Sequence, residues 1–209
     1  MSVMEEDEVL IRKVELTDIP YLYEICLATG FLGEDARPYY SNPYLLGQFY
    51  AAPYAYFARE DSFVLLDKAT GIPSGYIVGT RNTCSFYEKR NRFLSGIKEQ
   101  CLYHGSDRSV YEAKLKELIL SEIDSDGGSC SLYEEYPAHF HIDLMPCMQG
   151  KKLGSELVRT FLGNLRQNDV KGVHLGVDGK NERACSFYKK EGFSVLEKTE
   201  WGFILGMKL

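Results

Sequence analysis

The chain has 209 residues, of which 44% are hydrophobic, and its formal net charge is −6. This length can bury one sizeable core, so we expect a single domain over residues 1–209. The acidic balance argues against a general nucleic-acid surface, which is normally basic, whereas a cationic acceptor such as an amine is compatible with it.

Cysteine usage and hydropathy set further bounds. The six cysteines are Cys26, Cys84, Cys101, Cys130, Cys147 and Cys185. No C-x-x-C spacing occurs among them, so we expect reduced thiols, with neither a metal site nor a disulfide framework. No apolar run approaches the roughly 18 residues of a membrane span, and no signal peptide is evident. We therefore expect a cytoplasmic or nucleocytoplasmic protein without a membrane partner, either monomeric or homodimeric.

Residues 9–80 predict elements in the order β-α-α-β-β. Residues 9–14 are typical of a strand, and Thr17 is expected to cap a helix that Gly30 ends. An aromatic-rich segment follows, with a short helix that starts close to Pro43 and ends before Pro53. Two further strands are predicted at residues 62–66 and 75–80.

A strand, a glycine-bearing loop and a helix start follow between His139 and Gln167. Apolar residues predict the strand up to Pro146, and residues 153–167 have a helical period. The first amides of a helix lack intrahelical partners and carry about half a positive charge, so they favour phosphate oxygens. Lys151 and Lys152 add full charges. The loop matches neither the dinucleotide fingerprint nor the P-loop.

Two motifs in this half resemble those of the GNAT superfamily of N-acetyltransferases. Gln149-Gly150-Lys151-Lys152-Leu153-Gly154 resembles the pyrophosphate loop Q/R-x-x-G-x-G/A, with Lys152 at the usual middle glycine. After a predicted strand at 172–177, residues 181–193 resemble N-x-x-A-x-x-F-Y-x-x-x-G-F. The resemblance implies an α/β (α+β) fold with a mixed, mostly antiparallel, seven-stranded central sheet flanked by helices.

Within that superfamily the chain is similar to the C-terminal acetyltransferase-like domain of eukaryotic O-GlcNAcase. Residues 22–30, 45–54 and 141–146 carry this finer resemblance. In the eukaryotic domain the glycine loop is eroded, whereas most of it is present here.

The resemblance implies that acetyl-CoA is the co-substrate and that no metal takes part. The acetyl group would pass directly to a primary amine in a ternary complex, the acceptor being a small molecule or a protein lysine or N-terminus. In the family, the fourth and fifth strands splay apart so that their backbone binds the pantetheine arm. The residues that this resemblance assigns to the cofactor are Leu144, Met145, Gln149, Gly150, Lys151, Lys152, Leu153, Gly154, Ser155, Asn181, Ala184 and Tyr188.

The loop has a second interpretation, a tight strand-to-helix connection with solvated lysines. Lys152 bears on this choice because a lysine keeps its backbone N–H. The anion site survives if φ is negative, and only a positive φ makes a non-glycine residue costly there.

Tyr188 is the candidate general acid. By resemblance, its phenol would donate a proton to the departing thiolate. The alternative is a helical tyrosine packed against the sheet with its hydroxyl at the edge. Asn181 is expected to cap the same helix.

Asp143 is the first candidate for general base because an ionisable side chain within an apolar strand is costly unless it is paired or functional. His139 and His141 share its side of the strand by period-two alternation, so an Asp–His salt bridge is the competing explanation. Asp178 and His174 are the reserve candidates.

Residues 82–136 form an insertion before the fourth strand. A structureless loop of that length is improbable, and the composition predicts helices over 85–103 and 109–123, followed by a flexible exit at 124–129. Val110, Leu115, Leu118 and Ile119 are the expected apolar stripe of the second helix. We expect the insertion to cover the acceptor side of the cleft. Two alternatives to an enzyme stay open, a non-catalytic acyl-CoA-binding module and a protein-interaction domain.

Overall fold

The structure is a computed structural model that describes residues 8–99, 107–124 and 131–209. The strands are β1 (Val9–Lys13), β2 (Phe63–Asp67), β3 (Ile72–Thr80), β4 (Ala138–Leu144), β5 (Gly172–Asp178), β6 (Ser194–Lys198) and β7 (Gly202–Lys208). The α-helices in the described ranges are α1 (Ile19–Thr29), α2 (Leu45–Tyr50), α3 (Ala52–Phe57), α4 (Thr83–Gly96), α5 (Val110–Ile123), α6 (Ser131–Glu135), α7 (Leu153–Gln167) and α8 (Glu182–Lys190).

The seven strands form one sheet in the order β1-β2-β3-β4-β5-β7-β6. Every neighbouring pair is antiparallel except β4 and β5, which run parallel. The expected mixed, mostly antiparallel seven-stranded sheet is therefore confirmed. Only a crossover can join parallel neighbours, and α7 supplies it, so the loop that starts α7 lies at the carboxyl end of β4.

Each face of the sheet has its own hydrophobic core. One core contains residues of α1 to α5, including Leu22, Leu45 and Tyr54, packed against Tyr76 and Val78 of β3. The second core joins α7 and α8 to the opposite face. Leu157, Phe161 and Leu165 recur at helical spacing in α7 and are fully buried, which explains why this segment is an amphipathic helix held on the sheet.

The start of α1 differs from the expectation. Thr17 does not cap the helix, because it lies within a 3₁₀ turn, Leu16–Asp18, and the N-cap residue is Asp18. The Asp18 carboxylate accepts hydrogen bonds from Arg12 at 2.7 and 2.8 Å and from the Glu15 amide at 2.8 Å. A partly buried ion pair therefore lies at the start of α1, and no side chain caps the helix. Gly30 is the C-cap residue, as expected.

Pro53 also has a different role from the one expected. It does not mark the end of a single helix, since it lies in the first turn of α3, directly after α2 ends at Tyr50. The first turn of a helix tolerates proline because its amides have no intrahelical acceptor.

The insertion before β4 is helical. Helix α4 begins after Asn82, whose side chain accepts from the Ser85 amide, and α5 begins after Ser109, whose hydroxyl accepts from the Glu112 amide. The single helix predicted over 85–103 is wrong beyond residue 96: α4 ends at Gly96, because the amide of the C-cap residue Ile97 bonds to the nearer carbonyls of Leu94 and Ser95. Residues 100–103, and most of the exit at 124–129, lie outside the described residues. In the predicted stripe, Leu115 and Ile119 are buried, whereas Val110 and Leu118 are exposed, so the stripe is narrower than expected.

The described residues contain neither a membrane-spanning helix nor a metal-binding cluster. No helix in those ranges is both long and apolar enough to cross a membrane. Nor does any group of three or more His, Cys, Asp or Glu side chains there have a metal-binding arrangement.

Candidate active site

An opening separates β4 from β5. Their ladder holds only two residue pairs, Ala138 with Val173 and His139 with His174. Beyond these pairs both strands continue, to Leu144 and Asp178, while each keeps its other neighbour. The two strands therefore diverge within the centre of the sheet.

The direction of the β4 backbone in this opening follows from its pairing with β3. The Met145 amide donates to the Ser74 carbonyl at 2.9 Å. Because antiparallel pairs alternate between bonded and non-bonded positions, the N–H and C=O groups of Ile142 and Leu144 point the other way, into the opening. Met145 does not share this property, since its carbonyl also accepts from the Met148 amide at 2.8 Å. Met145 therefore presents neither backbone group to the opening, whereas Leu144 presents its N–H there and its carbonyl accepts from Gln149. That these two residues bind the cofactor stays a prediction.

The loop after β4 ends at a helix start whose amides lack a side-chain cap. Lys152 is the N-cap residue of α7, no side chain accepts a capping hydrogen bond, and the Lys152 carbonyl accepts from the Glu156 amide. The amides of Leu153, Gly154 and Ser155 come before this first helical bond. Their arrangement suits an anion, and the pyrophosphate site there stays a prediction.

Both left-handed residues of the loop lie before these amides. Gly150 has φ +75° and Lys152 has φ +63°. The favourable case for Lys152, a negative φ, is therefore not the one observed. A lysine here keeps its amide in the anion site but bears the steric cost of the left-handed region.

Polar side chains connect the loop to β4 and α8. Gln149 donates through Nε2 to the Leu144 carbonyl at 2.8 Å and accepts from Arg183 at 2.7 Å. Ser155 donates its hydroxyl to Glu191 at 2.5 Å. The side chains of Gln149 and Ser155 therefore position the loop, and Arg183 adds a cation that the motif comparison had missed.

Helix α8 begins as the sequence suggested. The Asn181 side chain accepts from the Ala184 amide at 3.0 Å, so its capping role is confirmed. Tyr188 lies in this helix, only 9% exposed, with its ring against Phe140 and Phe193.

The Tyr188 hydroxyl has no hydrogen-bond partner within the part of the chain that the structure describes. Burial and, next, the charge of Asp143 raise its pKa above the usual range, so the phenol is protonated at neutral pH. A proton donor needs this state.

Asp143 lies on the face of β4 that α1 covers. Its carboxylate accepts from the Tyr76 hydroxyl at 2.6 Å and contacts the Thr29 hydroxyl at 2.9 Å. Burial raises its pKa to about 6, although the hydrogen bond from Tyr76 acts in the opposite direction. A carboxyl with this pKa is mainly ionised at pH 7 yet can readily take up a proton, as a general base must.

The competing explanation for Asp143, an Asp–His salt bridge, does not hold among the described residues, since both histidines have other partners. The Nε2 atom of His139 lies 2.7 Å from the Tyr54 hydroxyl, and its Nδ1 lies 2.8 Å from Thr83. His141 packs edge-on against the rings of Tyr50 and Tyr54. Burial lowers the pKa of both histidines, that of His141 to about 4, so both are neutral core residues at pH 7.

Neither reserve candidate is placed as well as Asp143. His174 bonds through Nδ1 to the Tyr136 carbonyl at 2.7 Å and stacks on Tyr133. Asp178 is exposed and accepts from the Lys180 amide at 2.8 Å.

Helix α5 of the insertion packs on the connection between α1 and α2. Glu112 is fully buried and accepts from the Ser41 amide and hydroxyl at 2.9 and 2.7 Å, the Asn42 amide at 3.2 Å and the Arg108 amide at 2.8 Å. Burial alone would raise the Glu112 pKa, but these bonds outweigh it and the pKa lies below its ordinary value. The anion therefore joins α5 to the segment beside α1.

The fold and this opening are those of the GNAT acetyltransferase family, and comparisons with known proteins agree. The model of the acetyltransferase (GNAT) family matches residues 120–193. The crystal structure of SsHAT is 30% identical, covers 96% of this chain and 98% of its own, and superposes with a TM-score of 0.82.

More distant structures share the fold. The PaiA N-acetyltransferase from Thermoplasma acidophilum, in complex with coenzyme A, is 15% identical, with coverages of 96% and 99% and a TM-score of 0.57. Salmonella typhimurium yncA, with its cofactor acetyl-CoA, is 15% identical, with coverages of 96% and 92% and a TM-score of 0.55. The chain belongs to the GNAT acetyltransferase family.

Proposed function

We propose that the protein is an acetyl-CoA-dependent N-acetyltransferase that moves the acetyl group directly to a primary amine in a ternary complex. The observation that carries this proposal is the divergence of β4 and β5 after two residue pairs, next to the uncapped start of α7. The Leu144 N–H and the backbone of Ile142 in the opening suit the amides of a pantetheine arm, and the amides of Leu153 to Ser155 suit a diphosphate.

The chemistry uses residues from both sides of the opening. Acetyl-CoA supplies the activated acetyl group. Asp143 takes a proton from the acceptor ammonium, which leaves the nitrogen lone pair available for attack. Tyr188 gives its phenolic proton to the departing thiolate.

A panel of primary amines with acetyl-CoA, followed by thiol release, tests the activity, and calorimetry with coenzyme A tests binding. Removing a general acid or base typically costs about 100-fold or more in rate. We therefore expect Tyr188→Phe and Asp143→Asn each to lower kcat by at least roughly that factor without weakening coenzyme A binding. Tyr56→Phe, at an exposed position on α3, is the matched control and should turn over normally.

The same measurements separate the alternatives. Coenzyme A binding without turnover of any amine would identify a non-catalytic acyl-CoA-binding module. Absence of both would point to a protein-interaction domain. Unchanged turnover in Tyr188→Phe would remove the proposed acid.

We also propose that the insertion borders the acceptor. The support is the contact of α5 with the segment that follows α1, the helix that covers Asp143. Membership of the subgroup similar to the acetyltransferase-like domain of O-GlcNAcase, and a cytoplasmic location, remain predictions from the sequence.

A further inference from the structure

The Thr29 hydroxyl lies between two oxygen atoms that both accept hydrogen bonds when Asp143 is ionised. Its Oγ1 is 2.7 Å from the Ile25 carbonyl oxygen and 2.9 Å from Asp143 Oδ1. A hydroxyl has one proton to donate and two lone pairs with which to accept. If Asp143 is ionised, Thr29 cannot satisfy both oxygens with full hydrogen bonds.

Helical geometry favours the bond to Ile25. Thr29 is the last residue of α1, and threonine hydroxyls in helices commonly donate to the carbonyl four residues earlier. This is also the shorter of the two contacts. With the proton directed to Ile25, Oγ1 presents a lone pair to Asp143, and this contact becomes a hydrogen bond when Oδ1 carries a proton.

The other carboxylate oxygen has the opposite environment. Tyr76 lies directly across the ladder from Asp143 and donates its hydroxyl to Oδ2 at 2.6 Å. The Cys26 thiol is close enough to the same hydroxyl to influence its pKa. Burial keeps both the phenol and the thiol protonated, because it raises both pKa values. Oδ2 therefore always faces a donor.

The titratable groups around Asp143 come from four elements. They are Cys26 on α1, Tyr76 on β3, His141 on the same face of β4, and Tyr188 on α8. All four groups are uncharged at pH 7, because the thiol and the two phenols keep their protons and His141 is neutral. The two oxygens of the carboxyl are therefore distinguished by their hydroxyl contacts, Thr29 at Oδ1 and Tyr76 at Oδ2.

We infer that Thr29 is a positioning residue that accepts a hydrogen bond from protonated Asp143, so that the proton taken from the acceptor resides on Oδ1 while Tyr76 holds Oδ2. The inference rests on the proposed role of Asp143 as base. In that step the ammonium N–H bond breaks, its electron pair stays on nitrogen, and an Oδ1–H bond forms. The protonated carboxyl then has a hydrogen-bond partner for each oxygen, since the Thr29 hydroxyl donates its own hydrogen bond to the Ile25 carbonyl.

Whether Thr29 accepts from Asp143 or donates to it can be tested by the sign of the change in the Asp143 pKa when the Thr29 hydroxyl is removed. The Asp143 carboxyl pKa can be measured by carbon NMR titration of aspartate-labelled protein, with Asp143→Asn to assign the resonance. If Thr29 accepts from the protonated acid, Thr29→Val lowers this pKa by roughly 0.5 to 1 pH unit, the effect of losing a neutral hydrogen bond. Thr29→Ser keeps the hydroxyl and should retain the wild-type value. Tyr76→Phe removes a donor to the charged form and should raise it.

A rise or no change in Thr29→Val would overturn the inference, because a hydroxyl that donates to the carboxylate lowers its pKa. Thr29→Ala makes the same test if valine is not accommodated. In active protein, the acidic limb of kcat/KM should move with the NMR value. If the NMR shifts have the expected signs while wild type turns over no amine, the hydrogen-bond assignment stands and the proposed function fails.

Discussion

At Lys152 the backbone adopts φ +63°, a region that is costly for residues with a Cβ atom and open to glycine. The carbonyl of this residue accepts the first helical bond of α7, so the conformation cannot relax without loss of the helix start. Lys152 thus combines local strain with a charge beside the candidate anion site.

Lys152→Gly should stabilise the protein by about 1 kcal/mol, since relief of the left-handed strain exceeds the extra flexibility of glycine in the unfolded chain. Urea unfolding measures this change. Coenzyme A binding should weaken modestly and depend less on salt, because one ammonium is lost and the amide is retained.

Lys151→Gly is the matched control. Lys151 is not among the residues with positive φ, so glycine there only adds flexibility and should lower the free energy of unfolding. If both variants lost stability equally, the strain at Lys152 would be refuted.

At the scale of single elements, α5 depends on one buried carboxylate. Glu112 belongs to the pattern Ser109-x-x-Glu112, which usually forms a reciprocal capping box. Here the Ser109 hydroxyl does accept from the Glu112 amide, but the carboxylate is directed to Ser41 and Asn42 in another segment. The local signal was present in the sequence, and tertiary packing changed the partner of the acid.

Glu112→Ala should reduce stability by roughly 2–3 kcal/mol, because several buried backbone donors lose a charged acceptor. If α5 borders the acceptor, KM for the amine should rise while the Kd of coenzyme A stays the same. Chemical denaturation and steady-state kinetics measure the two effects.

Glu117→Ala, on the exposed side of the same helix, is the control and should change neither quantity. A coenzyme A affinity that falls together with acceptor affinity in Glu112→Ala would contradict a local role on the acceptor side.

At the scale of the whole molecule, the described strands form two paired groups, β1 to β4 and β5 to β6 through β7. These groups are joined by the two residue pairs between β4 and β5, and beyond these pairs the sheet is open. A ligand seated there would connect the two hydrophobic cores, which cover opposite faces of the sheet. Binding should therefore stabilise the native state as a unit.

Coenzyme A at about 100 times its Kd should add roughly 2.7 kcal/mol to the free energy of unfolding and raise Tm by about 5–10 °C. Hydrogen exchange should show new protection at residues 142 and 144 and at residues 153–155. The β1–β2 pair at the far edge serves as an internal control. Protection confined to other regions would place the ligand elsewhere.

The amino-acid sequence by itself determined those features that depend on near neighbours. The span of α7 follows from its apolar period, and the Asn181 cap follows from a side chain three residues from its donor. The two family motifs likewise lie in continuous segments, which is why the family resemblance and the mixed sheet could be predicted.

Tertiary structure alone decided the partners of the candidate base. Thr29 and Tyr76 lie 114 and 67 residues from Asp143 along the chain. Strand register brings Tyr76 opposite Asp143, and the packing of α1 brings Thr29, so neither follows from a local pattern. The packing of β3, β4 and α7 likewise decided the backbone contacts of Met145 and the left-handed conformation of Lys152. A short segment leaves several hydrogen bonds and backbone angles open, and the folded environment selects among them.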